Sequence, residues 1–158
     1  MRYTRQGQAC TAGSRVYIQE KIYDKVLDGA FEKLSKLKMG NALDENSDIG
    51  AIISEEQLKR TLHYMDIAKK NSTTKVVHGG NQPSGDDYKN GFFYEPTLMS
   101  GVPVNSPVCQ EEIFGPVACA IPFKTFDEVM SSANDTPFGL SAVCLLYTSD
   151  AADEHRRG

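Results

Sequence analysis

A chain of 158 residues has room for one domain of ordinary size or part of one. Its 40% hydrophobic and 24% charged residues make the mix of a packed core rather than of a disordered segment. With 17 basic against 21 acidic residues and a net charge of −4, it has no cationic field to hold nucleic acid or an anionic membrane, and no apolar stretch nears the roughly 20 residues a bilayer demands.

The basic start, Met1 to Arg5, runs into Gln6, Gly7 and Gln8 instead of an apolar signal core, which reads as a cytoplasmic protein. Arg15 to Gln19 has the β-branched and aromatic content of a short strand. From Tyr23 to Leu37, Val26, Leu27, Ala30, Phe31, Leu34 and Leu37 recur at helical spacing, and Gly40 stands where a left-handed helix stop is wanted. Ser54 and Gln57 form a capping box, in which hydroxyl and amide reciprocally satisfy backbone donors, and open a second helix to about Lys70 with Leu58, Leu62, Met65 and Ala68 as its buried stripe.

Lys75 to His78 returns to strand character before a loop marked by Gly79, Gly80, Pro83, Ser84 and Gly85, and Asn90 with Gly91 predicts a tight turn. Phe92 to Met99 reads as a strand broken by Pro96. Val117 to Phe123 reads as another, where Pro122 argues for a sheet edge or an irregularity. Thr125 and Glu128 cap a third helix ending near Asn134, with Phe126, Val129, Met130 and Ala133 on one face, and the apolar run Leu140 to Val143 follows. Strands alternating with helices predict an α/β fold around a mainly parallel sheet.

The four cysteines, Cys10, Cys109, Cys119 and Cys144, form no CxxC pair, which argues for a reducing compartment and offers no metal-binding pattern. The densest chemical signal is GQACTAGSR, Gly7 to Arg15, one thiol among small residues with glycine on both sides. A nucleophilic cysteine needs thiolate character, from a helix N-terminus or a nearby cation, and a backbone N–H to stabilise an oxyanion. Cys10, between Arg5 and Arg15, is compatible with these needs; its alternative is the buried small hydrophobe that a free cysteine usually becomes. A second signal is EEIFGPV, Glu111 to Val117, which could offer a carboxylate to a ligand hydroxyl or be a solvated acidic pair before a strand. His63 and His78 read as ordinary surface histidines, and Gly79 with Gly80 as turn punctuation, since no phosphate-binding glycine motif is present.

GQACTAGSR, followed at residue 107 by PVCQEEIFGPV and at Asn134 to Ala142 by NDTPFGLSA, resembles the NAD(P)-dependent aldehyde dehydrogenase superfamily in string, order and spacing. DIGAII (Asp48 to Ile53) and GFFYEPTL (Gly91 to Leu98) extend the similarity over about residues 2–143. The resemblance implies that Cys10 attacks a small-molecule aldehyde to give a thiohemiacetal, that hydride leaves to the nicotinamide of NAD or NADP, and that water hydrolyses the resulting thioester. It makes the Cys10 backbone N–H one oxyanion donor. Glu112 would hydrogen-bond the nicotinamide ribose hydroxyls and Phe114 would pack near the nicotinamide, while Glu111 receives no role. The resemblance further implies a homodimer or homotetramer for a full-length parent.

A complete member is on the order of three times as long and has more than one domain. The expectation is therefore a fragment. Residues 1–143 would be a partial catalytic, thiol-bearing domain; the dinucleotide-binding domain, the asparagine completing the oxyanion hole and the glutamate that activates water belong upstream of Cys10 in the family. Residues 144–158, beginning CLLYTSDAADE, resemble a translated sequencing-library adapter and are expected to be a non-native tail. Such a fragment is expected to lack dehydrogenase activity by itself and to aggregate through exposed apolar surface. Two other classes compete: a cysteine hydrolase or acyltransferase pairing Cys10 with His63 or His78, and a non-catalytic α/β binding module.

Overall fold

In the computed structural model, which describes residues 3–145, strand β1 (Arg15–Gln19) leads into helix α1 (Tyr23–Leu34). Helix α2 (Glu55–Lys70), strands β2 (Lys75–His78) and β3 (Thr97–Ser100), the one-turn helix α3 (Pro107–Gln110), strand β4 (Val117–Phe123) and helix α4 (Phe126–Asn134) follow. Residues 146–158, most of the segment read as a non-native tail, lie outside the described residues, as do Met1 and Arg2. The strands form one sheet in the order β1-β4-β3-β2, with β4 parallel to both β1 and β3, and β2 antiparallel to β3 at the far edge. This is the α/β class the alternation predicts, with a mostly parallel sheet.

Side-chain alternation along β4 explains the layering. Val117, Cys119 and Ile121 share a core with Leu58, Tyr64, Met65 and Ala68 of α2, whereas Ala118 and Ala120 turn to Leu34 of α1, with Leu27 and Ala30 beside it. Strands covered on both faces must be apolar without a break, and Thr97–Ser100 and residues 117–121 are buried throughout. Met99 and Val117 have no exposed surface, and each contributes about 2 kcal/mol by transfer from water.

The bounds of β1, β2, β4, α2 and α4 agree with the sequence reading, and four details differ. Helix α1 stops at Leu34, not Leu37: after the last four-residue bond, Ser35 N to Phe31 O at 2.9 Å, the amides of Lys36 and Leu37 donate three residues back, to Lys33 O and Leu34 O at 3.3 and 3.1 Å, so the chain tightens out of the α-helix. Gly40 is not in the left-handed region; it donates its N–H to Ile49 O, and a Cβ there would meet the Ser47 hydroxyl. The strand expected over Phe92 to Met99 begins only at Thr97, since Pro96 has no donor and the residues before it run irregularly, Phe92 bridging Ile52 alone. Strand β4 is internal rather than an edge. Pro122 is tolerated because β3 ends its pairing at Ser100 with Ala120, so no donor is needed on that side.

Helix α4 is capped as expected: Thr125 Oγ1 accepts from Glu128 N at 3.2 Å, and the Glu128 carboxylate accepts from Lys124 N at 2.8 Å. Its apolar face is only half covered, with Val129 and Ala133 partly buried and Phe126 and Met130 exposed. The run Leu140 to Val143 forms no strand and lies exposed. Among the described residues no helix is long and apolar enough to cross a membrane.

Candidate active site

Cys10 sits in a tight turn in which Ala12 N donates to Ala9 O at 3.0 Å, immediately before β1. The residue is exposed, and neither its thiol nor its backbone N–H bonds to any described residue. It is therefore not the buried hydrophobe of the structural alternative. The thiolate-favouring features expected of it are arranged differently: the turn is not a helix N-terminus, and the Arg15 guanidinium is committed to the carbonyls of Ser132 and Ala133 at the end of α4, at 3.2 and 3.1 Å.

Three motifs distant in sequence converge on this turn. Gly7, at φ +69°, lies so close to the Gly115 carbonyl that a Cβ could not fit, which brings GQAC directly against EEIFGP. Gln8 Oε1 accepts from Ile53 N at 3.0 Å, tying the turn to DIGAII. Ser141 Oγ donates to Thr11 O at 3.2 Å, joining it to NDTPFGLSA. Cys119 N donates to Ser14 O at 2.8 Å and continues the connection into β4.

The segment from Glu111 to Phe114 has no strand or helix of its own and is held by one face of α2. Gln57 Nε2 donates to the carbonyls of Ile113 and Phe114, both at 2.9 Å. Arg60 donates to Glu112 O through its Nη2 at 2.6 Å and its Nε at 3.2 Å. Tyr64 donates its phenol proton to Glu111 Oε2 at 2.6 Å. Burial raises the Tyr64 pKa, the hydrogen bond to Glu111 raises it further, and the Arg60 charge opposes both.

The capping box is thus only half formed. Ser54 Oγ accepts from Gln57 N at 3.2 Å, but the Gln57 amide goes to the distant loop instead of returning to the cap. Sequence reasoning missed Gln57, Arg60, Tyr64 and Glu111 as a group. The available signal was the spacing 57, 60, 61, 64, which places polar side chains in a stripe beside the apolar one.

With its backbone fixed in this way, the Glu112 carboxylate is exposed and makes no hydrogen bond or ion pair with a described residue. Phe114 is half-buried and has φ +56°, a left-handed conformation costing about 1 kcal/mol or more in a residue with a side chain. The adjoining bonds to Ile113 O and Phe114 O hold it there.

Neither histidine bonds to Cys10. His78 ends β2, the sheet edge opposite β1, with its Nδ1 2.8 Å from Pro96 O, and His63 packs edge-on against Tyr64 on α2. Gly79 and Gly80 serve close packing: Gly80 N donates to Thr97 Oγ1 at 2.9 Å and Lys69 Nζ donates to Gly80 O at 2.7 Å. No cluster of three or more His, Cys, Asp or Glu side chains suited to a metal occurs among the described residues.

Comparison with known proteins bears on the family and the fold. The chain is 41% identical over 150 residues to a D-glyceraldehyde dehydrogenase (NADP(+)) of Picrophilus torridus, covering 94% of this chain and 29% of that protein. It is 38% identical over 150 residues to a betaine aldehyde dehydrogenase of Mesorhizobium japonicum, covering 95% and 30%. A crystal structure of betaine aldehyde dehydrogenase from Staphylococcus aureus in complex with NAD+ superposes with a TM-score of 0.84 at 38% identity, over 87% of this chain and 27% of that one. The chain thus spans about three tenths of the length of the relatives it matches. A family model described as "Aldehyde dehydrogenase family" matches residues 1–156, and the chain belongs to that family.

Proposed function

We propose that this chain supplies the thiol-bearing part of an enzyme that oxidises a small aldehyde to a carboxylic acid with NAD(P)+. The observation that carries the reading is the convergence of GQAC, DIGAII, EEIFGP and NDTPFGLSA around an exposed Cys10 whose sulfur and backbone N–H are both uncommitted among the described residues. In this reading the Cys10 thiolate adds to the aldehyde carbon and the carbonyl electron pair moves onto oxygen, where the Cys10 N–H donates to the developing oxyanion. A bound NAD(P)+ would supply the acceptor for the hydride whose departure turns the thiohemiacetal into a thioester. Cys10 then holds the acyl group until water cleaves it.

The residues at the loop suit the dinucleotide. An ionised carboxylate accepts from two ribose hydroxyls at once, and the Glu112 carboxylate is exposed, unpaired among the described residues and mounted on a fixed backbone. Phe114, two residues further along the chain, offers a partly exposed aromatic face. The remaining dinucleotide contacts, the general base and the second oxyanion donor lie outside this chain in this reading, so the isolated chain turns over no aldehyde. In a full-length dehydrogenase carrying this segment, Cys10→Ser should lower kcat on the order of 10⁴-fold or more while NAD(P)+ binding persists. Undiminished oxidation by that variant would overturn the assignment.

A further inference from the structure

We propose that Tyr64 and Glu111 are positioning residues of the dinucleotide site, closing a hydrogen-bonded ring through Arg60 that fixes the backbone of Glu112. The proposal rests on the assignment of Glu112 to the nicotinamide ribose. The ring can be followed atom by atom. Arg60 Nη2 donates to Glu112 O at 2.6 Å and to Tyr64 Oη at 3.2 Å; Tyr64 Oη donates to Glu111 Oε2 at 2.6 Å; the peptide bond between Glu111 and Glu112 completes the circuit. The Arg60 guanidinium also lies over the Tyr64 ring, 5.3 Å from its centroid.

Three features point to positioning rather than to a surface ion pair. Tyr64 is only 4% exposed, so its ring is fixed by packing and its hydroxyl marks a defined point in space. Among the described residues the loop has no ladder partner, and the one backbone–backbone bond from Glu111 to Phe114 runs from Glu111 N to Pro107 O at 2.8 Å, leaving α2 side chains to decide where Glu112 stands. Of the two adjacent glutamates, one carboxylate is bound inward by the phenol and the other is left unpaired among the described residues, a division of labour that a freely solvated pair would not show.

The test measures NAD(P)+ dissociation constants by calorimetry on a full-length dehydrogenase carrying this segment, with thermal midpoints in parallel. Tyr64→Phe and Glu111→Ala should each weaken dinucleotide binding about fivefold, the range a single hydrogen bond commands, with the aldehyde KM unchanged. Glu111→Gln keeps an oxygen that accepts from the phenol and should stay within about twofold of the parent. The double variant Tyr64→Phe/Glu111→Ala should be no weaker than either single one, because both break the same ring. If Glu111→Gln binds as poorly as Glu111→Ala, or if the two losses multiply, the ring is refuted. If Glu112→Ala weakens binding while Tyr64→Phe and Glu111→Ala do not, the ring falls and the role of Glu112 stands. If Glu112→Ala itself leaves binding unchanged, the underlying assignment fails. Should Tyr64→Phe prove insoluble, the exposed Glu111 pair of variants decides alone.

Discussion

At Gly115 the loop that carries Glu112 packs tightly against Thr61 of α2, and replacing it by alanine tests the packing that aligns the two. A Cβ at this position would stand 2.5 Å from Thr61 Oγ1, 3.4 Å from its Cγ2 and 3.5 Å from its Cβ. The first contact is about an ångström inside the usual separation of such atoms. Backbone strain plays no part, because φ at Gly115 lies outside the left-handed region. Thr61 cannot yield: it has no exposed surface, its β-branched side chain is stiff within a helix, and its hydroxyl donates to Gln57 O at 3.1 Å. The loop must therefore move, drawing the carbonyls of Ile113 and Phe114 away from Gln57, and Gly115→Ala should cost about 2–3 kcal/mol, the upper part of the overpacking range. Thr61→Ala alone should cost about 1 kcal/mol through the lost hydrogen bond and methyl group. Combined with Gly115→Ala it removes both offending atoms and leaves an ordinary contact at 3.5 Å, so the double variant should be more stable than Gly115→Ala alone. Urea unfolding followed by far-ultraviolet circular dichroism measures all three. Additive costs, or a Gly115→Ala variant within about 0.5 kcal/mol of the parent, would refute the steric reasoning.

Two further outcomes follow from burial. Iodoacetamide should alkylate Cys10 and Cys144 in the native chain and spare Cys109 and Cys119 until denaturant is added, as read by peptide mass mapping. This sets access against acidity, because a hydrogen bond with Cys119 favours the Cys109 thiolate, and equal labelling of Cys109 and Cys10 would show that the core is open. Alkaline pH should destabilise the fold: burial raises the phenol pKa of Tyr94, with Glu95 and Asp66 adding to it, and burial also raises those of Tyr23 and Tyr64. The unfolded chain then releases protons near pH 10 that the folded chain retains, so stability present below that pH is lost as pH rises above it. A urea midpoint constant between pH 9 and pH 11 would contradict this.

Elements whose cause is local were legible in the sequence. Strand β1 and strand β4 are runs of residues that suit a covered sheet, and α2 and α4 open on a hydroxyl that accepts from the third helical N–H, a signal four residues long. Misreadings fall where the decisive partner is elsewhere or where a breaker outweighs composition. Phe92 to Met99 is aromatic and apolar enough for a strand, yet Pro96 leaves the segment before Thr97 without a ladder, and those residues bury their rings irregularly. Helix α3 went unread although Ser106 and Pro107 spell an N-cap followed by proline at the first helical position; four residues are too few for periodicity to show.

The Gln57 side chain shows why the site itself was only partly legible. Its spacing from Ser54 satisfies the capping pattern, and in an isolated helix the amide would return to the cap. In the folded chain two groups compete for it, and solvent decides between them. The cap at Ser54 is partly exposed, so water can satisfy its N–H at little cost. Ile113 is buried, and a carbonyl there without a donor would forfeit about 1–3 kcal/mol. The amide therefore serves the loop, and Arg60 and Tyr64, one and two turns further along the same stripe, do likewise. A glutamine, an arginine and a tyrosine bordering an apolar stripe are accordingly the mark of a helix that must grip an irregular segment. That inference uses residue type and period alone, and at residues 111–114 it points to the neighbourhood of the carboxylate left unpaired.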